Sequence, residues 1–109
     1  MELKHHKTLT SDRWHDFTLA EQFGNIGSEV NRTILAKKRG DQNLLKSAFE
    51  RALELFDLTI MDKKHSKRLR EIGRLREVFI DAFLGGMVYG SDLQSINKYL
   101  FDFALVAKR

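Results

Sequence analysis

Apolar residues return every three or four positions in four stretches of this chain, which is the spacing of one face of an α-helix. The first two stripes are Leu19, Phe23, Ile26, Val30 and Ile34, then Leu45, Ala48, Phe49, Ala52, Leu55, Phe56 and Ile60. The last two are Leu69, Ile72, Leu75, Phe79, Ala82 and Phe83, then Leu93, Ile96, Leu100, Phe103, Ala104 and Ala107. The pattern therefore predicts four helices.

Capping signals set the limits of the first two helices. Thr18 followed by Glu21 has the spacing of a capping box, which predicts a first helix over residues 19–38. Gly40 supplies a C-terminal stop, and Asp41 is a good N-cap for a second helix over residues 42–61.

The limits of the last two helices are set by weaker signals. The polar stretch 62–66 separates the second helix from the third, although little in it forbids one continuous helix. The third helix is predicted to end at the pair Gly85 and Gly86. Ser91 and Gln94 have capping-box spacing, which predicts the start of the fourth helix.

Four helices with short connections favour an all-α fold, an up-down-up-down antiparallel four-helix bundle. The whole chain, residues 1–109, is long enough for one domain only, with residues 1–17 as a polar N-terminal segment. Trp14 is expected to close one end of the core. The other predicted core residues are Phe23, Ile26, Val30, Phe49, Ala52, Phe56, Ile72, Phe79, Phe83, Ile96, Leu100 and Phe103.

Composition narrows the classes of protein. The chain has no cysteine, which excludes a thiolate metal site and a cysteine nucleophile and suits a reducing compartment. The N-terminus has no apolar stretch of signal-peptide length, and no apolar run approaches the roughly 20 residues that span a bilayer. We therefore expect a soluble cytoplasmic protein with no membrane partner.

The first helix contains a strip of very small side chains. Ala20, Gly24, Gly27 and Ser28 lie three or four residues apart, so another backbone or ring can approach closely there. Two occupants fit this strip: a symmetric copy of the helix, or the aromatic rings of Phe49, Phe56, Phe79 or Phe83 of the same chain.

Apolar residues also stand where a monomer would present solvent-exposed positions. Eight phenylalanines are many for a small bundle, and the segments 87–89 and 105–106 are apolar outside the stripes. Such patches are typical of surfaces that another copy of the chain covers, which favours a homo-oligomer.

Acidic side chains follow the predicted helices in columns, which raises the alternative of a metal-dependent helical-bundle enzyme. The carboxylates concerned are Glu29, Glu50, Glu54, Asp57, Glu77 and Asp81. Di-iron bundle proteins, however, require Glu-x-x-His pairs on two of their helices, and none of the four predicted helices contains such a pair. A solvated face with ion pairs explains the columns equally well, so no metal or other cofactor is predicted.

Other catalytic motifs are missing as well. The arginine-histidine motif of HEPN-type ribonucleases does not occur, and only Glu54 with Asp57 matches one of the two acidic pairs of all-α nucleotide pyrophosphohydrolases. There is no nucleophile elbow and no phosphate-binding glycine loop. No catalytic residue is predicted, and a non-catalytic interaction module is favoured.

Basic residues are concentrated between Lys63 and Arg76. In an up-down bundle, the start of this stretch lies at the same pole as the beginning of the first helix and the end of the fourth. The residues predicted to contact nucleic acid there are Arg13, Lys63, Lys64, Lys67, Arg68, Lys108 and Arg109, with His15 and His65 beside them. Such a cluster can neutralise phosphates of RNA or DNA, although basic residues also occur near helix C-termini because they complement the helix dipole.

The run NIGSEVNR at residues 25–32, followed by RALELFDLTI at residues 51–60, resembles the four-helix bundle proteins encoded in 23S rRNA intervening sequences. The match covers residues 22–60, and the chain departs from it at Gly27, Ser28 and Glu29, where the family usually has Ala-Glu-Gly. The resemblance implies a four-helix bundle, often in a ring-like homo-oligomer, with no established catalysis. It also implies nucleic-acid association, which is suspected in related accessory proteins.

Overall fold

A computed structural model describes residues 11–107 of the chain. This part is 83% helical and contains no strand. It consists of α1 (Ser11–His15), α2 (Leu19–Arg39), α3 (Gln42–Ile60), the 3-10 helix η1 (Lys63–Arg68), α4 (Leu69–Phe83) and α5 (Leu93–Ala107). The four predicted helices correspond to α2, α3, α4 and α5, which confirms the all-α class. Residues 1–10 of the predicted N-terminal segment, with Lys108 and Arg109, lie outside the described residues.

The limits of α2 follow the predicted capping signals. The Thr18 hydroxyl accepts the backbone N–H of Glu21 at 3.1 Å, and the Glu21 carboxylate accepts the backbone N–H of Thr18 at 2.9 Å. Gly40 ends the helix in the left-handed region, at φ 68° and ψ 20°. Because only glycine adopts this conformation without strain, the helix stops after Arg39, one residue beyond the prediction.

Aspartates cap the next helices. Asp41 accepts the backbone N–H of Leu44 at 3.0 Å at the start of α3. The predicted capping box at Ser91 is wrong, because Asp92 accepts the backbone N–H of Ser95 at 2.8 Å and α5 begins one residue later. Hydrogen bonds with the Ser95 side chain and then with its backbone lower the pKa of the Asp92 carboxyl.

The connection between α3 and α4 is not a continuous helix. Asp62 caps η1 by accepting the backbone N–H of Lys64 at 3.2 Å. His65 then leaves helical geometry, with φ −100° and ψ 19°.

The predicted polar segment before Thr18 contains the one-turn helix α1. This helix is too short to give a periodic signal in the sequence.

The core lies between α2, α3, α4 and α5. Helix α2 packs against both α3 and α5, and α4 packs against α3 and α5. The predicted core residues are buried, except Phe49, Phe83 and Phe103, which are half-buried at its edge. Phe49 stacks on Phe83 with ring centroids 3.9 Å apart, so these edge residues still contribute apolar contact. Trp14 is 2% exposed and belongs to this core.

The two glycines of the small-residue strip of α2 pack against α5 of the same chain. A Cβ atom added at Gly24 would lie 3.9 Å from the Cβ atom of Ala104, and one added at Gly27 would lie 3.2 Å from the ring of Phe101. The ring nearest to Gly27 is therefore that of Phe101, and not that of Phe49, Phe56, Phe79 or Phe83, which the sequence suggested. No helix within residues 11–107 is long and apolar enough to cross a membrane.

We expect the two glycines to respond differently to alanine. Gly24→Ala places its methyl group at ordinary contact distance and gains helix propensity, so it should stabilise the protein by about 1 kcal/mol. Gly27→Ala should gain less, or lose stability, because the Phe101 ring must move. Urea unfolding of both variants measures this difference, and an equal gain at the two sites would contradict the close packing at Gly27.

Candidate functional site

A groove of about 880 Å³ lies where η1 faces the first turn of α2. We call it the basic groove. Its lining residues are Thr18, Leu19, Ala20, Glu21, Lys64, His65, Ser66, Lys67, Arg68 and Phe103. It therefore brings together part of the predicted nucleic-acid surface with the N-terminus of a long helix, where the helix dipole favours negative charge. Glu21 is the one acidic side chain among these lining residues.

The predicted basic residues occupy different places around this groove. Lys64, Lys67 and Arg68 line it, and all three side chains are exposed. Lys63 and Arg13 are also exposed but are not among its lining residues. The guanidinium of Arg68 lies over the ring of Phe103, 5.5 Å from its centroid. The groove thus gathers three of the seven predicted residues, and Lys108 and Arg109 lie outside the described part of the chain.

Lys64 is bound to its own chain. Its ammonium group pairs with the Asp62 carboxylate and donates to the backbone carbonyl of His15 at 2.6 Å. In turn, Nε2 of the His15 side chain lies 3.1 Å from the backbone carbonyl oxygen of Leu58. Because a carbonyl oxygen only accepts, Nε2 is the donor. Lys64 therefore joins α1 to η1, and much of its charge is already compensated.

Beneath the groove lies a buried polar network centred on Gln22. The Gln22 side-chain amide donates to the carbonyl of Trp14 at 2.9 Å and to the Asp62 carboxylate at 3.0 Å. Its side-chain oxygen lies 2.7 Å from Nε2 of His65. Trp14 also donates its indole N–H to the hydroxyl of Thr59 at 3.0 Å. Four segments, α1, α2, α3 and η1, are joined by this network.

The network defines the protonation of His65. Because the amide nitrogen of Gln22 has two acceptors, its oxygen is left to accept, so Nε2 of His65 carries the hydrogen. Burial lowers the pKa of His65 below 6.5 and outweighs the nearby Asp62 carboxylate, which raises it. Lys64, Arg68 and His15 lower it further. His65 is accordingly a neutral hydrogen-bond donor at neutral pH.

Asp62 is the charged partner in the same network. Burial alone would raise its pKa, but hydrogen bonds from Lys64 and Gln22 together outweigh burial and lower the pKa to about 2. A carboxyl whose pKa is lower in the folded state than in the unfolded state stabilises the fold above the unfolded value. That contribution is fully present above about pH 4 and is lost as the pH falls toward 2.

The sequence analysis did not identify these buried polar residues as a group. A signal was present, since Gln22 lies three residues after Leu19 and four before Ile26, on the apolar face of α2. Thr59 follows Leu55 by four residues in the same way. Gln22 and Asp62 are 40 residues apart in the sequence, and Trp14 and Thr59 are 45 apart, so spacing could not pair them.

The acidic columns do not converge. Within residues 11–107, no three histidine or acidic side chains are close enough to hold a metal ion. Asp57 pairs with Arg76 at 2.8 Å, and Glu77 accepts the hydroxyl of Tyr89 at 3.0 Å. Asp81 accepts backbone N–H groups of the loop after α4, and the side chains of Glu50 and Glu54 are half-buried.

Comparison with known proteins identified no relative of this chain. No protein-family model, no curated protein and no solved structure matches this chain. The resemblance to the proteins of 23S rRNA intervening sequences therefore stays a prediction. Any function proposed for the chain rests on the geometry of its own residues.

The protonation of His65 predicts how stability depends on pH. Since its pKa is lower in the folded state, the unfolded chain takes up the proton first, and the free energy of unfolding should fall as the pH drops below about 6.5. His65→Gln keeps a donor for Gln22 but has no titrating group. Urea unfolding between about pH 7.5 and 5.5 should show a shallower pH dependence for this variant. The same slope in both proteins would contradict the assignment.

Proposed function

We propose that this chain is a small non-catalytic helical-bundle module that binds the phosphate backbone of RNA or DNA through its basic groove. The observation that carries the proposal is the position of Lys67 and Arg68, which line the groove beside the N-terminus of α2 and have no acidic partner in a described ion pair. Phosphate oxygens accept from such groups, and release of counterions from the nucleic acid drives binding.

The groove favours contacts with phosphates over contacts with bases. Phe103 is the aromatic side chain that lines it, and one of its faces is already covered by Arg68. A base would have to displace this guanidinium to stack there. Phosphate contacts position a nucleic acid without reading its sequence, so we infer binding with little sequence preference.

We also infer the up-down-up-down topology, on which the position of η1 beside the first turn of α2 depends. Gln22, near the start of α2, bonds to Asp62, just after the end of α3. Phe49 near the start of α3 stacks on Phe83 at the end of α4, and Arg68 before α4 lies over Phe103 near the end of α5. These contacts support antiparallel neighbours throughout and agree with the family that the sequence resembles. A cytoplasmic location fits this role and stays a prediction.

A homo-oligomer is the second part of the proposal. The loop after α4 presents Leu84, Met87 and Val88 with 71%, 88% and 77% of their surface exposed. The loop is nevertheless well anchored, since Asp81 accepts the backbone N–H groups of Val88 and Tyr89. An ordered and exposed apolar loop is typical of a surface that a second copy covers.

Replacing the exposed cations should test nucleic-acid binding. The triple variant Lys63→Ala, Lys67→Ala and Arg68→Ala leaves Lys64 in its structural ion pair. We expect weaker binding to single-stranded RNA of any sequence, and a salt dependence shallower by roughly 0.7 in the log-log slope for each lost phosphate contact. Gel shift and fluorescence anisotropy at several salt concentrations measure both effects.

The matched control changes three basic residues of the last turn of α2, Lys37, Lys38 and Arg39, to alanine. This removes the same charge from the opposite end of the helix and should leave more of the affinity intact. Equal losses in the two triple variants would indicate a response to net charge alone, and no binding by the unmodified protein at low salt would overturn the proposed function.

Self-association is tested through the loop after α4. Met87→Ser with Val88→Ser removes apolar side chains but keeps the backbone N–H of Val88 that bonds to Asp81. Sedimentation velocity should show an oligomer for the unmodified chain and a smaller species for this variant. Leu105→Ser with Val106→Ser is the comparison at the second exposed patch. A monomeric unmodified chain at micromolar concentration would exclude the oligomer.

A further inference from the structure

A second pocket, of about 360 Å³, lies beside α2 between α1 and α3. We call it the Glu29 pocket. It is lined by Trp14, Phe17, Asn25, Ser28, Glu29, Arg32 and Leu55. It shares no lining residue with the basic groove and plays no part in the function proposed above.

The carboxylate of Glu29 is incompletely bonded. Glu29 is only 6% exposed. Its Oε1 atom accepts from a guanidinium nitrogen of Arg32 at 2.6 Å. Its Oε2 atom has less than 1 Å² of accessible surface and no hydrogen-bond partner. A buried acceptor without a donor costs free energy that most folded proteins avoid, so this oxygen calls for an explanation.

The neighbouring hydroxyl and amide groups are bonded to backbone carbonyls rather than to this oxygen. The Ser28 hydroxyl donates to the carbonyl of Gly24 at 3.2 Å, and the Asn25 amide donates to the carbonyl of Glu21 at 2.9 Å. The Thr33 hydroxyl is likewise engaged, at 2.9 Å from the backbone carbonyl of Glu29. None of these side chains donates to Oε2 in this structure, so a donor from outside them would complete its bonding.

Arg32 is the movable part of the pocket. Its side chain is 56% exposed, whereas that of Glu29 is 8% exposed. A long exposed side chain changes rotamer at little cost, and its ion pair with Glu29 is an i,i+3 contact of the kind that contributes only modestly. If the guanidinium swings outward, Oε1 loses the donor that it has here, and both carboxylate oxygens are left to accept from another cation.

The remaining walls are apolar and aromatic. Leu55 is buried, and the rings of Trp14 and Phe17 meet edge to face with centroids 5.6 Å apart. A carboxylate next to aromatic rings favours an organic cation, because the carboxylate neutralises the charge and aromatic rings attract cations through cation-π interactions. The apolar walls suit an alkyl stem behind the charged group.

We propose that the Glu29 pocket binds an alkylguanidinium or alkylammonium group, which donates to Oε2 of Glu29 and takes the place that Arg32 occupies in the free protein. The group has two possible sources: a small free cation, or an arginine or lysine side chain of a second copy of this chain. Both offer the same chemistry to the carboxylate.

Agmatine, an alkylguanidinium, is the probe for the first source. Trp14 is the single tryptophan of the chain and lines the pocket, so its fluorescence reports binding directly. We expect a saturable change in the unmodified protein and binding about tenfold weaker in Glu29→Gln, since a charge-assisted hydrogen bond is lost.

Arg32→Gln gives the decisive comparison. This variant removes the competing internal cation, so agmatine should bind more tightly than to the unmodified protein. A ligand that used Arg32 as an anchor would instead bind more weakly. Lys67→Ala in the basic groove is the matched control and should leave agmatine binding unchanged, whether or not the groove binds nucleic acid.

Sedimentation velocity addresses the second source. If a neighbouring copy supplies the cation, Glu29→Gln should shift an oligomer toward smaller species and added agmatine should do the same. The proposal is overturned if agmatine leaves the fluorescence unchanged and Glu29→Gln leaves the association state unchanged. Agmatine binding of equal strength in Glu29→Gln would also overturn it, as would a crystal structure in which Oε2 is bonded only to water.

Discussion

The hydrogen bond between Gln22 and Asp62 is the contact on which the rest of the structure depends. It joins the first turns of α2 to the cap of η1 at 3.0 Å, inside a region with almost no exposed surface. Through the same two side chains, His65 and Lys64 are bonded as well. Because a buried polar group without its partner costs free energy, each member fixes the position of the next.

This network determines the character of the groove above it. It uses one cation, Lys64, to compensate the buried carboxylate of Asp62, while burial lowers the pKa of His65 and so favours its neutral form. The charge left for a ligand therefore comes from residues that follow on η1, Lys67 and Arg68. A count of basic residues in the sequence does not separate these roles, since a lysine in a structural ion pair looks like any other lysine there.

The features that the sequence predicted correctly are those that interactions between nearby residues determine. The ends of α2 depend on Thr18, Glu21 and Gly40, which act within a few residues, and these were identified correctly. Apolar periodicity likewise identified the core, because burial of one face is what makes such helices stable. The residues missed are those whose role depends on distant partners, such as Gln22 with Asp62. The start of α5 was missed for a smaller reason, because Ser91 and Asp92 are both good caps and only one can begin the helix.

The two buried carboxylates of this chain differ in a way that bears on function. Asp62 receives hydrogen bonds from Gln22, the Lys64 side chain and the Lys64 backbone, so its burial is fully compensated. Glu29, equally buried, receives one from an exposed arginine and leaves an oxygen without a donor. Because the fold supplies several hydrogen-bond donors to the buried carboxylate of Asp62, a missing donor is not common to both buried acids. The incomplete bonding of Glu29 therefore belongs to its own pocket, where a donor would satisfy a buried charged acceptor.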